Sequence, residues 1–206
     1  MIPSRCLWNV AVVAGCAHPV APACPADVVL AGQDDVARFA GCAGARSLVI
    51  RSGAPLDVSA LRGLAAVAGD VAIGPSVGIE EVALGELRTI GGTLHVANNG
   101  SLRGLYLPKL ERAGRIEIDG NVSLVTVSLP RLAGVDGAVA ITDNADLEIV
   151  DAGELAAIGG ALVIAGHPQL TLVELPKLER AASVRIEGSP KLGADVVEQL
   201  AKRATP

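Results

Sequence analysis

Aromatic side chains are nearly missing from this chain. Of 206 residues only Trp8, Phe39 and Tyr106 carry an aromatic ring other than imidazole, 1% of the total. So few rings disfavour a stacking platform for bases or sugars. Basic clusters are missing too: 17 Lys and Arg stand against 22 Asp and Glu, for a net charge of −5. Nucleic acid is therefore not expected as a partner. No unbroken apolar run reaches the roughly 18 residues of a membrane span. Neither a P-loop nor a dinucleotide fingerprint occurs, and no elbow motif surrounds Ser101, Ser123 or Ser128. What is abundant is aliphatic. Half the chain is apolar, punctuated by 24 Gly and 12 Pro, which is too apolar for disorder.

The N-terminus reads as an export leader. Arg5 precedes an apolar stretch from Cys6 to Gly15, interrupted by Asn9, and small residues follow. Val13-Ala14-Gly15-Cys16 resembles the lipobox of bacterial lipoproteins. That resemblance implies cleavage after residue 15, lipid on Cys16, and attachment to the cell envelope, at the outer membrane or cell surface. More than one acyl chain is needed for lasting anchorage, and a lipidated cysteine supplies them without a spanning helix. Residues 16–23, with His18-Pro19-Val20-Ala21-Pro22-Ala23, read as an extended tether. Cys6 would leave with the leader and Cys16 would carry lipid. In an exported chain the remaining pair, Cys24 and Cys42, most simply forms a disulfide. No histidine adjoins either, so zinc is not expected there.

From residue 24 to 206 one domain is organised by an internal repeat. SLVIRSG begins at 47, DVAIGPS at 70, TLHVANN at 93, RIEIDGN at 115, AVAITDN at 138, ALVIAGH at 161 and SVRIEGS at 183. Seven units at steps of 22 or 23 residues mark a solenoid. In each, the second and fourth residues are aliphatic, from Leu48/Ile50 to Val184/Ile186, so one face of a short strand points inward. A second inward column runs Leu56, Ile79, Leu102, Leu124, Leu147, Leu170, Leu192. A third follows in pairs such as Leu84/Leu87 and Leu107/Leu110. The seventh residues, Gly53, Ser76, Asn99, Asn121, Asn144, His167 and Ser189, form a turn column suited to left-handed backbone and to bonding turn amides. Pro108, Pro130 and Pro176 predict an extended return leg, not a helix. Asp195–Arg203 reads as a short C-terminal helix that lids the last coil. The fold class is all-β: a solenoid of about seven 22–23-residue coils with a disulfide cap at one end and a helix at the other.

The pattern C-x-x-D-V-V-L…S-L-V-I, followed by L-x-x-L-x-x-I-x-G-x-L-x-I-x-x-N-x-x-L, resembles the receptor L-domain family over residues 24–203. The resemblance implies a right-handed β-helix similar to leucine-rich repeats, and the expected role is that of a non-catalytic binding, recognition or surface-structural module. This chain lacks the kinase, the cysteine-rich module and the aromatic ligand face of the receptors, so signalling is not implied.

No catalytic residue and no cofactor is expected. Asp119-Gly120-Asn121 and Asp143-Asn144-Ala145-Asp146 have calcium-like composition, but a calcium site gathers about six to eight oxygens at one point and these segments carry turn duty. No metal is expected. The candidate binding face is the outward side of the strands: His95, Arg115, Glu117, Ala138, Ala140, Ala161, Val163 and Arg185. A flat, partly apolar strip of this kind can seat a protein or a glycan. The expected protein is a monomer held to the membrane by its lipid. Two alternatives are a carbohydrate-active β-helix enzyme, which would carry clustered carboxylates in a groove, and a polymerising scaffold, which capped ends oppose.

Overall fold

A computed structural model describes residues 24–203. The leader at 1–15, Cys16 and the tether at 16–23 lie outside the described residues. The described chain is a β-solenoid of about seven turns with two helices. Its front sheet stacks Asp27–Leu30, Ser47–Ile50, Val71–Ile73, Thr89–Ala97, Arg112–Asp119, Val139–Thr142, Ala161–Ala165 and Ser183–Glu187, parallel and in chain order. The return legs are extended, as the prolines require. Glu81–Ala83, Gly104–Tyr106, Thr126–Ser128, Ile149–Asp151 and Leu172–Glu174 form a second parallel sheet at the back. Pro108 lies just after its strand, in a turn closed by the Leu110 amide on the Leu107 carbonyl at 3.1 Å.

All three aliphatic columns point inward. Two more complete the lining: Val67, Ile90, Ala113, Val135, Ile158 and Ala181, then Val82, Leu105, Val127, Val150 and Val173. Burying each such Val, Leu or Ile stabilises by about 1.5–3 kcal/mol relative to exposure, and only stacking allows it. At the corner before each front strand the coils nearly touch. A Cβ on Gly92 would lie 2.8 Å from the Gly69 carbonyl carbon, and one on Gly160 2.9 Å from the Ala138 nitrogen. Glycine recurs there as Gly69, Gly92, Gly114, Gly137 and Gly160 because backbone stacks directly on backbone.

The turn column forms a buried hydrogen-bond ladder. The Asn99 amide donates to Asn121 Oδ1 at 3.2 Å, Asn121 to Asn144 Oδ1 at 3.1 Å, and Asn144 to His167 Nδ1 at 3.3 Å. Each side chain also donates to the preceding coil's strand end: Asn99 to Ile73 O, Asn121 to Val96 O, Asn144 to Ile118 O, at 2.9–3.0 Å. The left-handed residue is the sixth of the unit, not the seventh: φ is +56° at Asn98, +62° at Gly120, +53° at Asp143 and +76° at Gly166. In the first coil the buried position is Ser52, 8% exposed, while Gly53 faces out.

The N-terminal end is closed by Gln33–Phe39, a helix that the sequence pattern did not reveal. Val36 and Phe39 are buried on it, and the Cys24–Cys42 disulfide ties its far side to the entry of the first strand, with Cα atoms 5.7 Å apart. The C-terminal helix runs Ala194–Arg203 and buries Leu200. It covers the last coil less fully than a lid would, since Val184 and Ile186 stay half-buried.

Candidate functional site

The front sheet brings most of the candidate residues into one line. Parallel register places His95 beside Glu117, Glu117 beside Ala140, Ala140 beside Val163, and Val163 beside Arg185. The flanking line runs from Thr93 to Arg115 and, two coils on, from Ala161 to Ser183. Ala138 sits between these, directly before its strand. Alternation forces the arrangement: with Leu94, Val96, Ile116 and Ile118 turned into the core, His95 and Glu117 must face out.

Glu117 is the hub. His95 Nδ1 lies 3.4 Å from its Oε2, and Arg115 Nη1 lies 3.3 Å from its Oε1. The three side chains are 46%, 37% and 52% exposed for His95, Glu117 and Arg115, so solvent screens both contacts and each is worth at most about 1 kcal/mol. Thr93 is fixed at the start of this strand stretch by its amide, which donates to Asp70 Oδ1 at 2.7 Å. Beyond Glu117 the surface is small and uncharged. Ala138, Ala140, Ala161 and Val163 are half-buried by their neighbours and form a flat patch two coils deep. Arg185 closes the line, 3.6 Å from Glu187 Oε1 and separated from Arg115 by the patch.

Other features lie away from this face. An open cleft of about 540 Å³ is lined by Gln33, Asp57, Glu80 and Glu81, where the back sheet begins. On the back sheet Tyr106 lies over Gly104, its ring occupying the place of a Cβ. Sequence reasoning missed that pair, although Gly two residues before the only tyrosine was a visible signal. His167 is buried in the ladder, with Nε2 donating to Ile141 O at 3.0 Å when Nδ1 accepts the Asn144 amide. Asn121 and Asn144 are occupied in the same ladder, which removes them from any calcium site. Among the described residues no group of three or more His, Cys, Asp or Glu is placed to hold a metal, and no helix is long and apolar enough to cross a membrane.

The arrangement presents hydrogen-bonding groups of both signs on an open, flat sheet, with the imidazole half open to water. No family model matches the chain, and no curated protein or solved structure shows significant similarity to it.

Proposed function

We propose that this is an exported, lipid-anchored envelope protein that binds a protein or glycan through its front sheet and catalyses no reaction. The observation that carries the reading is the His95–Glu117–Arg115 cluster set against the uncharged Ala138, Ala140, Ala161 and Val163 patch. Hydrogen-bonding groups of both signs beside a flat apolar area are what a recognition surface requires. The Cys24–Cys42 disulfide supports export, because such bonds persist in oxidising compartments. The similarity of the repeat to the receptor L-domain family points to binding as well.

The test has two arms. Metabolic labelling with a fatty-acid precursor should mark the wild-type chain in a bacterial host and leave Cys16→Ala unmarked. Absence of label on the wild type would refute the anchor. Immobilised wild-type protein should retain an envelope component that Glu117→Arg and Ala140→Arg variants release. Equal retention by all three would refute the front sheet as the binding face.

A further inference from the structure

The last coil is finished differently from the rest. From Leu48/Ile50 to Leu162/Ile164, every inward pair of the front sheet is at most 5% exposed, whereas Val184 and Ile186 are half-buried. Their strand, Ser183–Glu187, pairs with Ala161–Ala165 on one side only. The repeat fixes which backbone groups face the other side. In the interior, the Leu48 and Ile116 amides donate to the following coil at Asp70 O and Ala138 O, at 3.0 and 3.1 Å. The Ile50 carbonyl accepts from Gly74 of the following coil at 2.8 Å. Val184 and Ile186 occupy the same positions, so their amides and carbonyls are directed at a following strand. Among the described residues none supplies one. The C-terminal helix packs on this strand yet leaves Val196 and Val197 half-buried too.

We propose that the Ser183–Glu187 edge receives an extended strand of another protein, one with aliphatic residues at alternating positions. Internal coils show what this surface accepts. Leu48/Ile50 is covered by Val71/Ile73, that pair by Leu94/Val96, and so on to Val184/Ile186, each time by an alternating strand in parallel register. Backbone bonds supply the attachment, and apolar contact with the half-buried Val184 and Ile186 selects side chains at every second position. A head-to-tail second copy is a poor occupant. Its leading strand, Asp27–Leu30, already has Val28 and Leu30 at 4% and 0% exposure, sealed by the Gln33–Phe39 helix. Arg185 and Glu187 on the outward face, 62% and 58% exposed, protect the edge against indiscriminate pairing. The site stands apart from the His95–Glu117–Arg115 cluster, and its strand contributes Arg185 to the end of the front-face line.

The probe is a capped peptide with the sequence of residues 161–166, ALVIAG, added to the full chain and read by amide hydrogen exchange. Protection of Val184 and Ile186 should rise at least about tenfold and saturably. A peptide of the same composition with the alternation destroyed should leave both unchanged. Ile186→Pro removes one donor on the free side, a position where an edge strand tolerates proline, and should abolish the response while residues 71–164 stay protected. Should the proline loosen the coil, Ile186→Thr keeps the donor, trims the apolar contact and should raise the peptide midpoint severalfold. The proposal is overturned by no change at 184 and 186 up to the peptide's solubility, by an equal response to the disordered peptide, or by protection appearing at Asp27–Leu30 instead. Protection at Ser183–Glu187 that rises with protein concentration alone would assign the edge to a second copy and overturn it as well.

Discussion

His167 shows how a histidine can serve the purpose of an asparagine. Its Nδ1 stands where Asn121 and Asn144 place Oδ1, and its Nε2 stands where they place the amide nitrogen. Replacing it with the residue it imitates should therefore cost little. His167→Asn is expected to change stability by under about 1 kcal/mol, whereas Asn121→Ala leaves the Asn99 amide buried without a partner and takes a donor from the Val96 carbonyl, and should cost roughly 2–5 kcal/mol. Denaturant midpoints compare the two, and equal losses would mean that the ladder does not carry this energy. A second residue-scale effect sits next to it. Gly166 has φ +76°, and a Cβ there would stand 2.4 Å from Asp143 Oδ1. Gly166→Ala should destabilise by about 1–2 kcal/mol from the left-handed backbone alone, while Gly85→Ala, with open space around it, should stay within about 0.5 kcal/mol. The ladder was legible in the sequence because Asn99, Asn121 and Asn144 recur at the coil step. Its left-handed partner was misplaced by one residue. The clue was in the sixth position, which holds only Asn98, Gly120, Asp143, Gly166 and Gly188 over the last five coils.

Among the elements, the N-terminal cap is the one whose charge state matters. Asp35 reaches back from the first turn of the Gln33–Phe39 helix to accept the amides of Ala31 and Gly32, at 3.0 and 3.1 Å. These backbone donors, with Arg38 beside them, hold its carboxyl below the ordinary value of 3.8. Hydrogen bonds from Arg46 and Ser47 lower Asp27, and those from Ser59 lower Asp57. A carboxyl depressed in the folded state contributes stability above its ordinary value and loses it as pH falls through the folded one. All three groups stand in the cap and first coil, and Lys109 lowers only Glu86 beyond it. Acidification below about pH 4 should therefore deprotect amides of residues 27–39 before those of 139–164. Hydrogen exchange between pH 5 and 3 reads this directly, and Asp35→Asn should flatten the difference. Simultaneous loss at both ends would contradict it. The helix escaped sequence reading for a physical reason. It is seven residues long, starts at Gly32 in place of a side-chain cap, and shows only Val36 and Phe39 as apolar markers. Front strands, by contrast, were legible because each must turn exactly two aliphatics inward at a fixed step. The same step made the contact of His95 with Glu117 recoverable, since 22 residues separate them and one coil is 22 or 23. What the outward residues bind is another matter. Packing dictates the inward positions and leaves the outward ones free, so their identities carry no folding signal against which a ligand could be read.

At the scale of the molecule, a solenoid is held by nearest neighbours, and its ends set how it fails. The two ends are unequal. The N-terminal cap combines a buried helix face with the Cys24–Cys42 bond, while the C-terminal coil keeps Val184 and Ile186 partly open. Removing the bond should shift the balance. Cys42→Ser is expected to destabilise by about 2–5 kcal/mol, the usual range for removing a native bridge. The loss should be local before it is global: the loop closed by the bond contains the first strand and the whole cap helix, and those cover Leu48 and Ile50. Exchange protection should fall over residues 47–73 and persist over 139–164, because the fifth and sixth coils keep both neighbours. Thiol counting on the oxidised, folded 24–206 segment gives the simpler check, with no reactive thiol expected; two would contradict the bond and weaken the argument for export. A deep and even loss of protection along the whole chain would show that the coils unfold as one cooperative body, so that the repeat, for all its regularity, does not fray from its end.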